Sequence, residues 1–172
     1  MGDMLDKITE GQDPITRIIA KIPGFNGYIE KQNRRAADKM LRETIADQYK
    51  ELWKRVSNIQ QDMVSSGDVM HLDDMEKAAT KIQTFTDKVE NAAYGYAGFF
   101  DAVKIKEDEL AKIYEFDASL LDMMDGISSA IDNVEASVGS DGLPAAISHL
   151  VNLTRDLVST FDSRDDVVKT VE

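Results

Sequence analysis

The chain has 172 residues, of which 42% are apolar and 30% are charged, and this composition is typical of one globular domain with its own core. The formal net charge of −12 argues against a nucleic-acid partner, because binding to phosphates needs clustered cations. There is no cysteine, which excludes disulfides, thiolate metal sites and cysteine nucleophiles.

The first predicted element is a short N-terminal helix. Residues 1–12 are polar and are expected to form a flexible N-terminus, so a single domain is predicted over residues 13–172. Asp13 before Pro14 fits an N-cap followed by proline at the first helical position. The apolar face consists of Ile15, Ile18, Ile19 and Ile22. A helix this short is unstable alone in water, so we expect this face to pack on protein.

Four long helices are predicted next, because apolar residues recur at alternating steps of four and three residues. They cover about residues 27–65, 73–96, 106–138 and 144–161. The predicted core contains Leu52, Ile59, Ile82, Phe85, Leu120, Ile127, Leu150 and Leu157. The sequence therefore predicts an all-α fold, an antiparallel four-helix bundle of long helices with the short N-terminal helix across one end.

Charge is distributed unevenly among these helices. Residues 31–55 carry eight Lys and Arg against four acids, whereas residues 107–141 carry ten acids and the single base Lys112. Two solvated helix faces would explain this pattern. The sharper interpretation is that the basic 27–65 helix lies beside the acidic 106–138 helix, in the same chain or in a partner chain.

No enzyme or metal class is supported by the polar residues. A di-metal carboxylate bundle needs two Glu-x-x-His pairs, and the two histidines, His71 and His149, do not supply them. We therefore expect no catalytic residue, no metal and no cofactor. Asp117 borders the apolar stripe of its helix, and we expect it at the solvent-exposed edge, since unpaired buried acids are rare.

Two aromatic–glycine segments, residues 22–28 and 94–100, are unusual for a plain bundle. If the long helices form hairpins, both segments lie at one end of the bundle. Their rings then either fill that end or form a surface for a ligand or partner, with paired arginines at its border. The candidate interaction or ligand residues are Phe25, Tyr28, Arg34, Arg35, Tyr94, Tyr96, Phe99 and Phe100.

The same segments carry a family resemblance. Residues 22–42 read I-P-G-F-x-G-Y-x-E-x-x-x-R-R-x-A-D-x-x-L-R, and residues 94–101 read Y-G-Y-A-G-F-F-D. This pattern resembles a group of uncharacterised bacterial all-helical proteins, and the resemblance covers most of the chain. It implies a helical fold and no activity.

The function expected from the sequence is a non-enzymatic, cytoplasmic interaction or scaffold module that binds a protein partner or itself. No segment of about 18 apolar residues exists that would span a membrane, and no apolar segment near the N-terminus suggests a signal peptide. Two alternatives remain at this stage. Residues 15–25 could anchor the protein peripherally to a membrane, or the aromatic end of the bundle could bind a small ligand.

Overall fold

Six helices form the described parts of the molecule. A computed structural model describes residues 13–30, 34–102 and 107–169, and at 28–30, 34–35, 92–102, 107–111, 165 and 167–169 it describes the backbone alone. The helices are α1 (Pro14–Lys21), α2 (Phe25–Glu30), α3 (Arg34–Ser66), α4 (Leu72–Ala102), α5 (Glu107–Ser137) and α6 (Leu143–Lys169). Because all regular structure in these ranges is helical, the all-α prediction is confirmed.

The four long helices form two antiparallel hairpins, α3 with α4 and α5 with α6. In the first hairpin, Gln60 bonds to Glu76 and Lys50 bonds to Glu90, so residue numbers fall along α4 as they rise along α3. Gly67 and Gly139 end α3 and α5 with φ angles of 81° and 79°, a left-handed conformation that glycine adopts without steric cost. The sequence signals for both turns are therefore confirmed.

The two hairpins pack side by side, with α3 next to α5 and α4 next to α6. The hydroxyl of Tyr49 on α3 donates to the carbonyl oxygen of Leu120 at 2.6 Å, and further along both helices Arg55 pairs with Asp132. Residue numbers rise together, so α3 and α5 run parallel. Hydrophobic periodicity indicates which face of a helix is buried, but it does not indicate which neighbour covers that face.

Two helix boundaries differ from the sequence prediction. The helix expected from about residue 27 begins two residues earlier, as α2 at Phe25, and α3 is described from Arg34; residues 31–33 lie outside the described residues. The pattern expected to become irregular after residue 94 instead continues as helix to Ala102. A glycine inside a helix costs only about 1 kcal/mol relative to alanine, so Gly95 and Gly98 do not end α4.

The core matches the predicted apolar stripes of the four long helices, which we call the seams. All eight residues predicted to be core are buried, from Leu52 on α3 to Leu157 on α6. Three aromatic rings link three helices at mid-bundle, because Phe85 on α4 contacts Tyr49 and Phe161 edge-on at centroid distances of 4.6 and 5.7 Å. Such edge contacts add to the stabilisation that burial provides.

Candidate functional site

The aromatic end of the bundle lies where α3 begins and α4 ends. The antiparallel α3–α4 hairpin places residues 94–100, in the last turns of α4, at the same end as the start of α3. The candidate side chains Tyr28, Arg34, Arg35, Tyr94, Tyr96, Phe99 and Phe100 lie outside the residues whose side chains are described. Their proposed meeting in one cluster therefore stays a prediction.

Phe25 is the one ring of this set that the structure describes, and it belongs to the core. Its side chain is fully buried and contacts the ring of Tyr114 on α5 edge-on, with centroids 6.3 Å apart. Phe25 follows the Pro23–Gly24 break between α1 and α2, which directs the chain back over the bundle end. The assignment of Phe25 to a ligand-binding surface is wrong for this conformation, because the ring is not accessible.

The N-terminal helix is attached to α5 by an apolar face and an ionic edge. Ile15, Ile18 and Ile22 are buried, which confirms that this face packs on protein. Asp13 caps the helix as predicted, with its carboxylate accepting the amide of Thr16 at 3.2 Å. In the docked position, the four buried apolar side chains of residues 15–25 are covered by protein contacts: Ile15, Ile18, Ile22 and Phe25. A membrane anchor built from them would first have to leave α5.

Two basic residues of α1 form the ionic edge. Arg17 pairs with Glu115 at 3.1 Å and with Asp122, and Lys21 pairs with Asp125. The hydrogen bond that Arg17 donates to Asp122 raises the pKa of Arg17 above its ordinary value. The acidic surface of α5 thus provides the counter-charges for α1.

The pairing of basic α3 with acidic α5 is confirmed, and Arg55, the last cation of the basic 31–55 stretch, carries it. Arg55 donates to the hydroxyl of Ser128 at 3.0 Å, pairs with Asp132 and lies 3.7 Å from Glu135. Lys39, in the same basic stretch, lies 3.9 Å from Glu43 on its own helix. Arg34 and Arg35, also in this stretch, have no described side chains.

Four buried charged residues form a network inside the bundle that the sequence analysis did not predict. They are Asp38 and Arg42 on α3, Asp117 on α5 and Arg164 on α6. Arg164 Nε lies 2.6 Å from Asp117 Oδ1, and its Nη2 lies 3.2 Å from Oδ2 of the same carboxylate. Asp117 is 2% exposed, so its expected position at the solvent edge is wrong. The guanidinium of Arg164 supplies the counter-charge that offsets the desolvation of this carboxylate.

Asp38 connects the two halves of the network. Its Oδ2 accepts Arg42 Nε at 2.7 Å, and its Oδ1 lies 3.7 Å from Arg164 Nη2. Burial raises the pKa of Asp38, because desolvation of the carboxylate outweighs attraction to the two guanidinium groups, and the nearby Asp117 adds repulsion. Each carboxylate here is held by a guanidinium rather than open to a substrate, which suits a structural role better than proton transfer.

The other unusual surface is an exposed apolar stretch on α3 and the turn that follows it. Trp53 is 37% exposed, Val64 57%, Val69 60% and Met70 80%. Trp53 is the single tryptophan of the chain. Val64, Val69 and Met70 lie at the end of α3 and in the turn after it, and Trp53 lies about 16 Å from Val64 along the helix axis. Exposed large apolar side chains are typical of contact surfaces. Helical periodicity does not mark these residues, because Trp53 and Val64 flank the buried stripe of α3 and Val69 and Met70 lie in the turn.

A shallow depression of about 420 Å³ on α3 is lined by side chains of that helix alone: Ala36, Lys39, Met40, Glu43, Thr44 and Asp47. Within the described ranges, no three His, Asp or Glu side chains are close enough together to hold a metal ion. Over the same ranges, no helix is both long and apolar enough to cross a membrane.

Comparison with known proteins gives no relative: no family model, no curated protein and no solved structure matches the chain.

Proposed function

We propose that the protein is a non-enzymatic helical interaction module that acts in the cytoplasm and presents one surface of a rigid bundle to a protein partner. The observation that carries this proposal is the exposed apolar stretch formed by Trp53, Val64, Val69 and Met70. On the same helix, the seam residues Val56, Ile59 and Met63 are buried. The exposed apolar side chains of Trp53 and Val64 are therefore not part of the core that stabilises the fold.

The interior supports the same proposal, because it favours one fixed arrangement of helices. The Asp117–Arg164 pair joins α5 to α6, and Asp38 adds α3 to the network. A displaced helix would leave a buried charge without its counter-charge, which is strongly unfavourable. A bundle held in one register gives a partner a surface of constant shape.

The test is capture of proteins from the native host followed by reconstitution of the captured protein with the purified chain. Binding would be measured by calorimetry for the wild type and for a variant combining Trp53→Gln, Val64→Gln, Val69→Ser and Met70→Ser. We expect the variant to keep its helical circular dichroism and to lose binding. The control carries Ala145→Ser and His149→Gln on exposed positions of α6 and should bind normally. Equal binding by all three proteins, or reconstitution of no complex, would contradict the proposal.

A further inference from the structure

One stripe of α5 changes from apolar to polar at the point where α1 ends. Positions 114, 118, 121, 125, 128 and 132 follow one another at steps of four and three residues, so they lie on the same face of the helix. The first three positions are buried, and they hold Tyr114, Ala118 and Leu121. The next three are polar and are exposed or half-buried, and they hold Asp125, Ser128 and Asp132.

The buried half of this stripe is covered by α1 and the turn that follows it. Lys21 Nζ donates to the carbonyl oxygen of Leu121 at 3.4 Å, and Phe25 contacts the ring of Tyr114 edge-on. Ala118 lies between these two contacts along α5, and its small side chain leaves room for a second helix. The three buried residues therefore form the floor of a groove that α1 fills.

The rim of the groove is acidic and matches the cations of α1. Arg17 pairs with Glu115 and Asp122, and Lys21 pairs with Asp125. We call the three floor residues and these three acids the α1 groove. The buried side chains of α1 are Ile15, Ile18 and Ile22. The groove thus recognises a helix with apolar residues at i, i+3 and i+7 and with cations at i+2 and i+6.

The four-helix bundle has its own seam on α5, separate from the α1 groove. This seam is buried along the whole helix and consists of Ile113, Leu120, Ile127, Ile131 and Val134. Its second half lies beyond the Lys21–Asp125 pair, where α1 has already ended. Burial of the seam is therefore provided by the long helices, and α1 can leave the groove while the bundle stays folded.

The contacts that hold α1 can be exchanged for those of another helix. The three rim acids are 45–77% exposed, and ion pairs with exposed carboxylates add little stability and are screened by salt. The helix has only eight residues and is joined to α2 through Pro23 and Gly24, which are both exposed. Short elements with few buried contacts open more readily than the core of a domain.

We propose that the α1 groove is a binding site for a short basic amphipathic helix of another protein, and that α1 occupies it as an internal competitor. The chemistry of α1 defines that of the partner, because both meet the same apolar floor and the same acidic rim. Occupation from within the chain keeps the site closed until the partner helix competes successfully. The groove contains none of the exposed apolar residues of the proposed partner surface, so it is a second and separate contact site.

A labelled peptide of residues 13–25 serves as the competing helix, and its fluorescence anisotropy during titration with the full chain gives the affinity. The wild type should bind it weakly, because its groove is already filled. Ile18→Ala in the chain loosens α1 without changing the groove, and we call this variant the opened chain. It should bind the peptide at least about tenfold more tightly, because a larger fraction of molecules has a free groove. Ala20→Ser, on an exposed position of α1, is the matched control and should bind like the wild type.

A charge swap identifies the groove as the place of binding. In the opened chain, Asp122→Lys with Asp125→Lys should abolish binding of the peptide. A second peptide, with Arg17→Glu and Lys21→Glu, should bind this reversed chain and should not bind the opened chain. Restored binding also shows that the reversed chain is folded.

Asp141→Lys with Asp156→Lys is the matched control for the reversal, because it makes the same charge change at exposed positions after α5 and on α6. In the opened chain it should leave binding of the original peptide unchanged. Equal affinity of the wild type and the opened chain, no binding to the opened chain, or no restoration by the second peptide would overturn the proposal. So would a wild-type dimer that the original peptide dissociates, since a second copy would then be the occupant. None of these results bears on the proposed function, whose variant changes other residues.

Discussion

Arg164 on α6 and Asp117 on α5 form a two-point ion pair in the interior of the bundle, with N–O distances of 2.6 and 3.2 Å. The two side chains are 1% and 3% exposed. Charge-assisted contacts of this geometry are directional as well as strong, so they fix the rotation of both helices. Apolar contacts alone would tolerate a shift of one helix along the other. The ion pair does not, because a shift would separate the two buried charges.

The first prediction is that Asp117→Asn destabilises the protein by roughly 3–5 kcal/mol, because it leaves the buried guanidinium of Arg164 without its main counter-charge. Chemical denaturation followed by circular dichroism would measure the change. The combined Asp117→Leu, Arg164→Met variant should recover most of this loss, since it removes both charges together. Asp156→Asn, an exposed acid on α6, serves as control and should stay within about 0.5 kcal/mol of the wild type. A cost equally small for Asp117→Asn would show that the pair is not buried in solution.

The second prediction concerns pH. The pKa of Asp38 is raised above its ordinary value of 3.8 by burial, so the folded state keeps this proton to higher pH than the unfolded state does. The stability that this difference in proton binding contributes is fully present below the pKa of Asp38 in the unfolded chain. It is lost as pH rises through the raised pKa of Asp38 in the folded protein. The free energy of unfolding of the wild type minus that of Asp38→Asn should therefore fall as pH increases from about 4 towards 7.

Asp74 provides a control of opposite sign for that titration. The hydrogen bond from Lys77 lowers the pKa of Asp74, so its contribution is present above the unfolded pKa and is lost as pH falls. The difference between the wild type and Asp74→Asn should rise with pH over the acidic range. Unfolding curves collected across this range would give both slopes, and a common sign for the two variants would contradict the assignment of Asp38.

The seams were predictable because burial follows the helical period. Three of the four buried charged residues also lie at positions of this helical period. Asp38 and Arg42 continue the α3 seam backwards from Ile45 at steps of four and three, and Arg164 follows Phe161 by three on α6. Asp117 was expected at the solvent-exposed edge because unpaired buried acids are rare. The alternative, a buried charge matched from another helix, depends on a partner 47 residues away in the chain that no local pattern identifies.

The contact surface was not predictable from the sequence for a different reason. Trp53 lies beside the seam residues Leu52 and Val56, and its exposure depends on how closely α4 covers that flank of α3. Helix neighbours and their distances are set by packing of the whole bundle rather than by local periodicity. The aromatic–glycine segments, by contrast, are conspicuous in sequence, yet the one ring described there, Phe25, fills the core.

The third prediction tests the seam itself. Ile82 on α4 is fully buried, and Ile82→Ala should cost about 2–5 kcal/mol through lost burial and the cavity that remains. Thr80→Ala, two residues earlier on an exposed position, is the matched control and should change stability by less than about 0.5 kcal/mol. Equilibrium unfolding in urea would compare the two. Similar small costs would place Ile82 at the surface and would contradict the packing of α4.

The last prediction separates the ionic from the apolar attachment of α1. Reversing its two cations, Arg17→Glu with Lys21→Glu, should replace attraction to acidic α5 by repulsion and release the helix. Amide hydrogen exchange of residues 14–22 would then become faster, most clearly at Ile22, whose amide bonds to the Ile18 carbonyl at 2.9 Å. High salt should reduce the difference from the wild type, because exposed charges are screened over about 8–10 Å. Ile18→Ala should release α1 to an extent that salt does not reduce, since this side chain is buried against the core.

Lys39→Glu is the matched control for the reversal, because Lys39 is an exposed cation of α3 that lies 3.9 Å from Glu43 on its own helix. It should leave exchange in residues 14–22 unchanged. If the double reversal also leaves this exchange unchanged at low salt, the ionic edge does not hold α1, and the isoleucine face alone does. If the reversal accelerates exchange equally at low and high salt, the change acts through packing rather than through charge.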